Sequence, residues 1–219
     1  MMQGENDANA DCAPPPRYVA DRGRNPVLNR RSLSLPTDDG PRIAAVIALG
    51  AIGVTASLAA EAGVAGWLGS GLALTMLGIA IIDARSFIIP NWLNAVAFGL
   101  GLIAAAVTAA TGQLWLTWLE AGGRAVVLVL LFGALRAGYF RLRGRHGIGL
   151  GDVKLAAVAG CWLGWSMIPV AIEIAALSAL AVQMLRGRVR PTTRLPFGLY
   201  LAPSIWIGWL LQATVFRGW

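Results

Sequence analysis

Asp83 and Asp152 are the residues whose types and placement could do chemistry. Asp83 closes an apolar run in "IIDARSFIIPN" and precedes Arg85 and Pro90; Asp152 opens another run in "GIGLGDVKLAAVAG". They are the only aspartates after Asp39, and 69 residues separate them. A carboxylate beside so much apolar surface is costly unless it has a partner or a task. Two carboxyls that meet, one protonated and one ionised, form the minimum apparatus for activating a water. Asp83 ends its segment, where the helix dipole disfavours negative charge, which suits the acid. Asp152 precedes its segment, where an N-cap carboxylate is favoured, which suits the base. Proximity would widen that split. Each residue also has a bland reading: Asp152 as a helix cap, Asp83 as a partner for Arg85 or a headgroup-zone charge. A cap alone does not explain Gly147, Gly149 and Gly151 at alternate positions ahead of Asp152. Glycine lets the backbone turn and another chain come close.

The elements that must position these residues are membrane helices. The chain has 219 residues, 57% hydrophobic and only 13% charged, where a soluble domain carries about 25% charged residues. Apolar segments fall at about 43–61, 66–83, 92–112, 122–141, 153–166, 168–186 and 197–216. Most approach the ~20 residues that cross ~30 Å of hydrocarbon as helix. Runs such as "AVVLVLLFGAL" do not alternate, which excludes a transmembrane barrel. The expected fold is therefore an all-α polytopic bundle of about seven spans over residues 42–219. Residues 1–41 are polar and rich in Pro, Asp, Asn and Arg, and read as a disordered cytoplasmic tail. That tail has no apolar h-region, so it is not read as a secretory signal.

Charge fixes the expected orientation. The net charge is +7, but the basic residues sit in breaks between apolar runs instead of forming a nucleic-acid groove. The tail, Arg85, the Arg141–Lys154 break and the Arg186–Arg194 break all fall on one side when seven segments alternate. The positive-inside rule puts that side, and the N-terminus, in the cytoplasm. The arginine-rich loops suit anionic lipid. Cys12 and Cys161 form neither a CxxC nor a metal-ligand spacing, so neither a disulfide framework nor a metal site is expected.

Three motifs in order resemble the type IV prepilin peptidases. Gly149, Leu150, Gly151 and Asp152 resemble their GxGD motif. Asp83 followed by Ile89, Pro90 and Asn91 resembles their first aspartate motif, and Pro196, Phe197 and Gly198 resemble the Pro-Phe-Gly that opens their last helix. The resemblance covers roughly residues 66–210. It implies a membrane aspartic endopeptidase of the bacterial inner membrane that removes the basic leader of prepilins or pseudopilins at the cytoplasmic face, just after a glycine. It implies Asp83 and Asp152 as the catalytic pair, Gly149, Gly151, Lys154, Pro90, Asn91, Pro196, Phe197 and Gly198 as residues that bind substrate or shape the site, and no metal or organic cofactor. The larger members carry paired CxxC motifs associated with N-methylation. The single cysteine in this tail makes methyltransferase activity doubtful and resembles the short peptidase form associated with Flp-type pili.

Several other residues bear on the reading. Lys154 is placed to tune Asp152, to hold a substrate backbone, or to snorkel to phosphates. His146 reads as a solvated loop histidine. Glu173, inside the sixth segment, reads as an interhelical hydrogen bonder. Asn91 is expected to cap the third segment, and the tryptophans, Trp67, Trp92, Trp115, Trp118, Trp165, Trp209 and Trp219 among them, to anchor segment ends at the interface. The rival class is a small transporter using the two aspartates as a cation or proton site; no internal repeat of the kind transporters often show supports it.

Overall fold

The computed structural model describes residues 40–109, 111–144, 147, 149–185 and 196–216. The tail before residue 40, His146, Trp219 and the basic break at 186–194 lie outside the described residues. The helical unit, Pro41–Trp219, holds seven helices and no strand among the described residues: α1 (Gly40–Ala60), α2 (Val64–Ser86), α3 (Asn91–Thr108), α4 (Leu114–Arg143), α5 (Leu150–Trp162), α6 (Met167–Leu185) and α7 (Gly198–Thr214).

Five of them, α1, α2, α3, α4 and α6, are long and apolar enough to cross a membrane. The chain is a multi-pass membrane protein. The 13 residues of α5 rise only about 20 Å, and the 17 of α7 about 25 Å. Both short helices pack in the middle: α7 lies against α2, α5 and α6, while α5 lies against α3, α4 and α7. Their residues Leu155, Val158, Leu201 and Ile205 join Leu72, Met76 and Ile79 of α2 in the buried core. The long helices α1, α4 and α6 keep most of their apolar surface outward, as helices in contact with lipid do.

Small residues set the spacing. With no hydrophobic drive between helices in lipid, close van der Waals fit and buried hydrogen bonds do the joining. Gly69 of α2 lies under the Trp209 ring of α7, where any Cβ would overlap the indole. A Cβ at Gly160 of α5 would come within 2.6 Å of the Ala125 Cα on α4. Indole N–H groups add ties: Trp162 donates to the Ala97 carbonyl at 2.8 Å, Trp118 to Leu102 at 3.1 Å and Trp206 to the Ser57 hydroxyl at 3.0 Å. Trp209 corrects the expectation of an interface anchor. It is buried and meets Trp162 edge-to-face at 6.2 Å, because α7 runs through the bundle centre. Trp67, Trp92, Trp115 and Trp165 do sit exposed. Glu173 is also exposed, on the outer surface of α6, instead of between helices.

Cross-links show which helix ends lie together. The end of α2 meets the start of α7 through Asp83 and Leu199, and the starts of α3 and α5 meet through Asn91 and Lys154. At the far end, the Gly164 amide after α5 donates to the Gln212 side chain near the end of α7 at 2.9 Å.

Candidate active site

Asp83 lies in the last turn of α2 and is turned into the bundle, 4% exposed. Its own carbonyl accepts the Phe87 amide at 2.9 Å. Phe87 takes the left-handed conformation, φ 54°, which ends α2. Residues 87–89 then return the chain so that Ile89 is buried and Pro90, φ −64°, precedes the first turn of α3. Arg85 stays exposed while the aspartate points inward.

The carboxylate is met from across the fold. Asp83 Oδ2 accepts the Leu199 amide at 2.9 Å, in the first turn of α7. Pro196 and Phe197 lead into that turn, and their carbonyls take the next amides, from Leu199 to Leu201. The dipole of α2 is not the only one that acts on Asp83. The N-terminus of α7 points at the same carboxylate with the opposite sign, so helix ends alone do not mark Asp83 as the acid. A Cβ at Gly198 would stand 2.9 Å from Asp83 Oδ2 and 2.7 Å from Ile89 Cδ1; only glycine lets α7 start this close.

Asp152 is 7% exposed. It is not the N-cap of α5, as the sequence suggested. Gly149 holds that position, φ −70°, ψ 152°, and Asp152 is the third helical residue. Its Oδ2 reaches back to accept the Gly149 amide at 3.1 Å, the carboxylate half of a capping box. Burial pushes the Asp152 carboxyl up to about 6; the Gly149 amide pulls it down and the nearby charge of Asp83 adds to the rise. The two carboxyls are thus at one end of the bundle and within electrostatic reach.

Ile89 joins the three motifs. A Cβ at Gly151 would lie 2.9 Å from Ile89 Cβ, and one at Gly198 2.7 Å from its Cδ1. The isoleucine of the first motif is therefore wedged between a glycine of the second and a glycine of the third. In the sequence Ile89 is no more than a letter of the first motif. Its role follows from two glycines far apart in the chain, and no local signal marks it.

Asn91 is a second correction. Pro90 occupies the cap position of α3 and Asn91 is the first helical residue. Its side-chain oxygen instead accepts Lys154 Nζ at 2.7 Å, at the exposed rim. Asn94, one turn further along α3, was missed altogether. It is 5% exposed, and neither its carboxamide oxygen nor its nitrogen has a hydrogen-bond partner among the described residues. The available signal was a polar residue inside an apolar segment.

Fold and site together define a polytopic helical membrane protein with two buried aspartates gathered at one end by three turns, two of them glycine-bearing. Residues 70–184 match the model of the type IV leader peptidase family, and the chain belongs to that family. A prepilin leader peptidase/N-methyltransferase of Burkholderia pseudomallei is 36% identical over 140 residues, 60% of this chain and 42% of that protein. One of Pseudomonas aeruginosa is 32% identical over 152 residues, 65% and 48% of the two chains. One of Pseudomonas putida is 30% identical over 139 residues, 62% and 46%. The chain spans less than half the length of these curated relatives. No solved structure matches it.

Proposed function

We propose that the chain is an aspartic endopeptidase of the bacterial inner membrane that removes the basic leader from prepilin-like precursors, Flp-type among them, at the cytoplasmic face. The observation that carries this is the convergence of Asp83 and Asp152, from separate motifs, at one end of a membrane bundle that belongs to the type IV leader peptidase family.

A water held between the two carboxyls attacks the scissile carbonyl carbon. Ionised Asp152 takes the water's proton, and Asp83, protonated, gives its proton to the carbonyl oxygen. Collapse of the tetrahedral species breaks the C–N bond; the amine leaves with the proton held on Asp152, and the proton on oxygen returns to Asp83. Each carboxyl keeps one oxygen on a backbone amide, Leu199 for Asp83 and Gly149 for Asp152, which holds the other free to face the water. Preorganised donors in a dry site are worth more than in water. Pro90, Pro196 and Phe197 shape the turns that carry these groups, and anionic lipid at the basic loops sets the bundle's depth.

The test is co-expression with a precursor carrying a basic leader that ends in glycine before an apolar segment, followed by gel shift. Processing by the unchanged chain and its loss in both Asp83→Asn and Asp152→Asn are expected. No size change in any lane favours transport, and processing that survives both substitutions removes the aspartates from the chemistry.

A further inference from the structure

Ile89 is buried, 8% exposed, in a turn whose residues from Ala84 to Ile88 are all exposed. It stands between the two helix starts that carry the carboxyls. Asp83 is tied to α7 through the Leu199 amide, and Asp152 rides in the first turn of α5, one residue past Gly151. The three atoms nearest a Cβ at Gly151 would all belong to Ile89: its own Cβ at 2.9 Å, and Cγ1 and Cδ1 at 3.1 Å. On the other side, a Cβ at Gly198 would lie 2.7 Å from Ile89 Cδ1 and 2.9 Å from Asp83 Oδ2. One side chain thus fills the space from the backbone beside Asp152 to the backbone beside Asp83. It is also a stiff one. Branching at Cβ restricts χ1, and Pro90 restricts the backbone of the residue before it to extended conformations.

We propose that Ile89 is a spacer: it holds the starts of α5 and α7 apart and so sets the distance between the Asp83 and Asp152 carboxyls. Two carboxyls that share a water must stand far enough apart to admit it and close enough for both to reach it. The backbone bonds to the carboxyls do not fix that distance. The Gly149 bond lies within the start of α5, and the Leu199 bond ties α2 to α7. The helices α5 and α7 pack against each other, so with the spacer shortened their glycine-bearing starts close together and squeeze the water's place. Ile89 carries no proton and donates no bond; it acts through the two aspartates, as a positioning residue. The assignment rests on the leader-peptidase reading and adds to it the residue that sets the gap.

The experiment has two arms, both on the full chain in vesicles of phosphatidylethanolamine and phosphatidylglycerol. In the first, Asp83→Cys and Asp152→Cys replace the carboxyls in a Cys12→Ser background, and iodine oxidation reports how readily the two positions meet. A disulfide needs its Cβ atoms about 3.8 Å apart, and the buried Cys161 stands about 13 Å further along α5. Ile89→Ala should speed linkage several-fold, and Ile89→Val by less. Equal or slower linkage, or none in any chain, overturns the spacer. The second arm follows cleavage of a precursor with a basic leader ending in glycine and an apolar segment after it. Ile89→Ala should lower kcat about 10–100-fold, as small misplacements of catalytic groups do, and leave KM within about twofold. Ile89→Leu keeps the volume but moves the branch, and should cost about tenfold; Ile89→Val loses only Cδ1, and should cost about threefold. Added to Gly198→Ala, Ile89→Val frees the space the new methyl needs, so the double variant should regain kcat. A double variant no better than Gly198→Ala overturns the assignment. So does Ile89→Ala with a lowered thermal midpoint but unchanged kcat per folded molecule, which makes Ile89 ordinary core. Because the linkage arm contains neither carboxyl, failure of the leader-peptidase reading leaves it separately legible.

Discussion

Asp83 and Asp152 are both buried and both carboxylates accept backbone amides, yet the amides come from opposite kinds of place. Asp152 is served by Gly149, three residues back in its own helix start. Asp83 is served by Leu199, 116 residues on, in a different helix. The first arrangement forms whenever α5 forms. The second exists only when α7 has seated against α2, so the Asp83 half of the site reports on assembly of the whole bundle.

The largest expected effect treats the two alike. Asp83→Asn and Asp152→Asn should each lower cleavage by about 10²–10⁴-fold or more, the range for losing general acid–base work, measured as initial rate on purified, folded chain. A variant retaining a tenth of the rate would show that its carboxyl is not part of the chemistry.

The next substitutions separate the halves. Gly198→Ala puts a methyl against Asp83 Oδ2 and Ile89, so it should shift α7 and cost about 10–100-fold in kcat, since small misplacements of catalytic groups are that damaging. Gly149→Ala places its methyl 3.2 Å from Asp152 Oδ2 on a backbone that alanine accepts, and a loss within about threefold is expected, of the size a few tenths of a kcal/mol produces. Equal losses in the two variants would erase the distinction between local and long-range support.

A pH profile sharpens the contrast further. With Asp152 near 6 and acting as base, kcat/KM should rise with pH through a limb near 6 and fall again at the higher pH where Asp83 loses its proton. An alkaline limb at the same pH would assign Asp152 as the acid instead. Gly149→Pro keeps φ near −70° but removes the N–H that lowers the Asp152 carboxyl, so the limb should move upward. The stability sign follows from the same residue. Its folded value lies above the ordinary 3.8, so its contribution is greatest below about pH 4 and is lost as pH rises to about 6. Thermal midpoints across that interval, compared with Asp152→Asn, give the check. Last and smallest, Lys154→Gln should change the rate by no more than about threefold, because its bond to Asn91 is at the exposed rim.

The legible and illegible parts of the site divide along the same line. Apolar segment lengths gave seven helices, six of them within a few residues of those observed and the fourth starting eight residues early, at Leu114, because in lipid a helix must satisfy its own backbone whatever its neighbours do. Asp152 at the head of an apolar run likewise announced a helix start, although the aspartate proved to be the third residue and not the cap. Asn91 misled because capping chemistry competes with a lysine delivered by another helix. Trp209 misled because position along a segment says nothing of which side faces the bundle. Ile89 gave no sign of its role, which two remote glycines define, and Asn94 gave only that of a polar residue inside an apolar segment.

By itself, then, the order of residues determined that this protein is a membrane helix bundle, which seven stretches form its helices, and which carboxyls lie near a polar boundary. Those features depend on transfer free energies and on bonds between residues a turn apart. Only the tertiary structure decided that α7 aims its first amides at Asp83, that Ile89 locks three turns together, and that the Asn94 carboxamide is buried with no partner among the described residues. These depend on helix faces meeting at van der Waals distance, and that choice is made by packing among segments far apart in the chain.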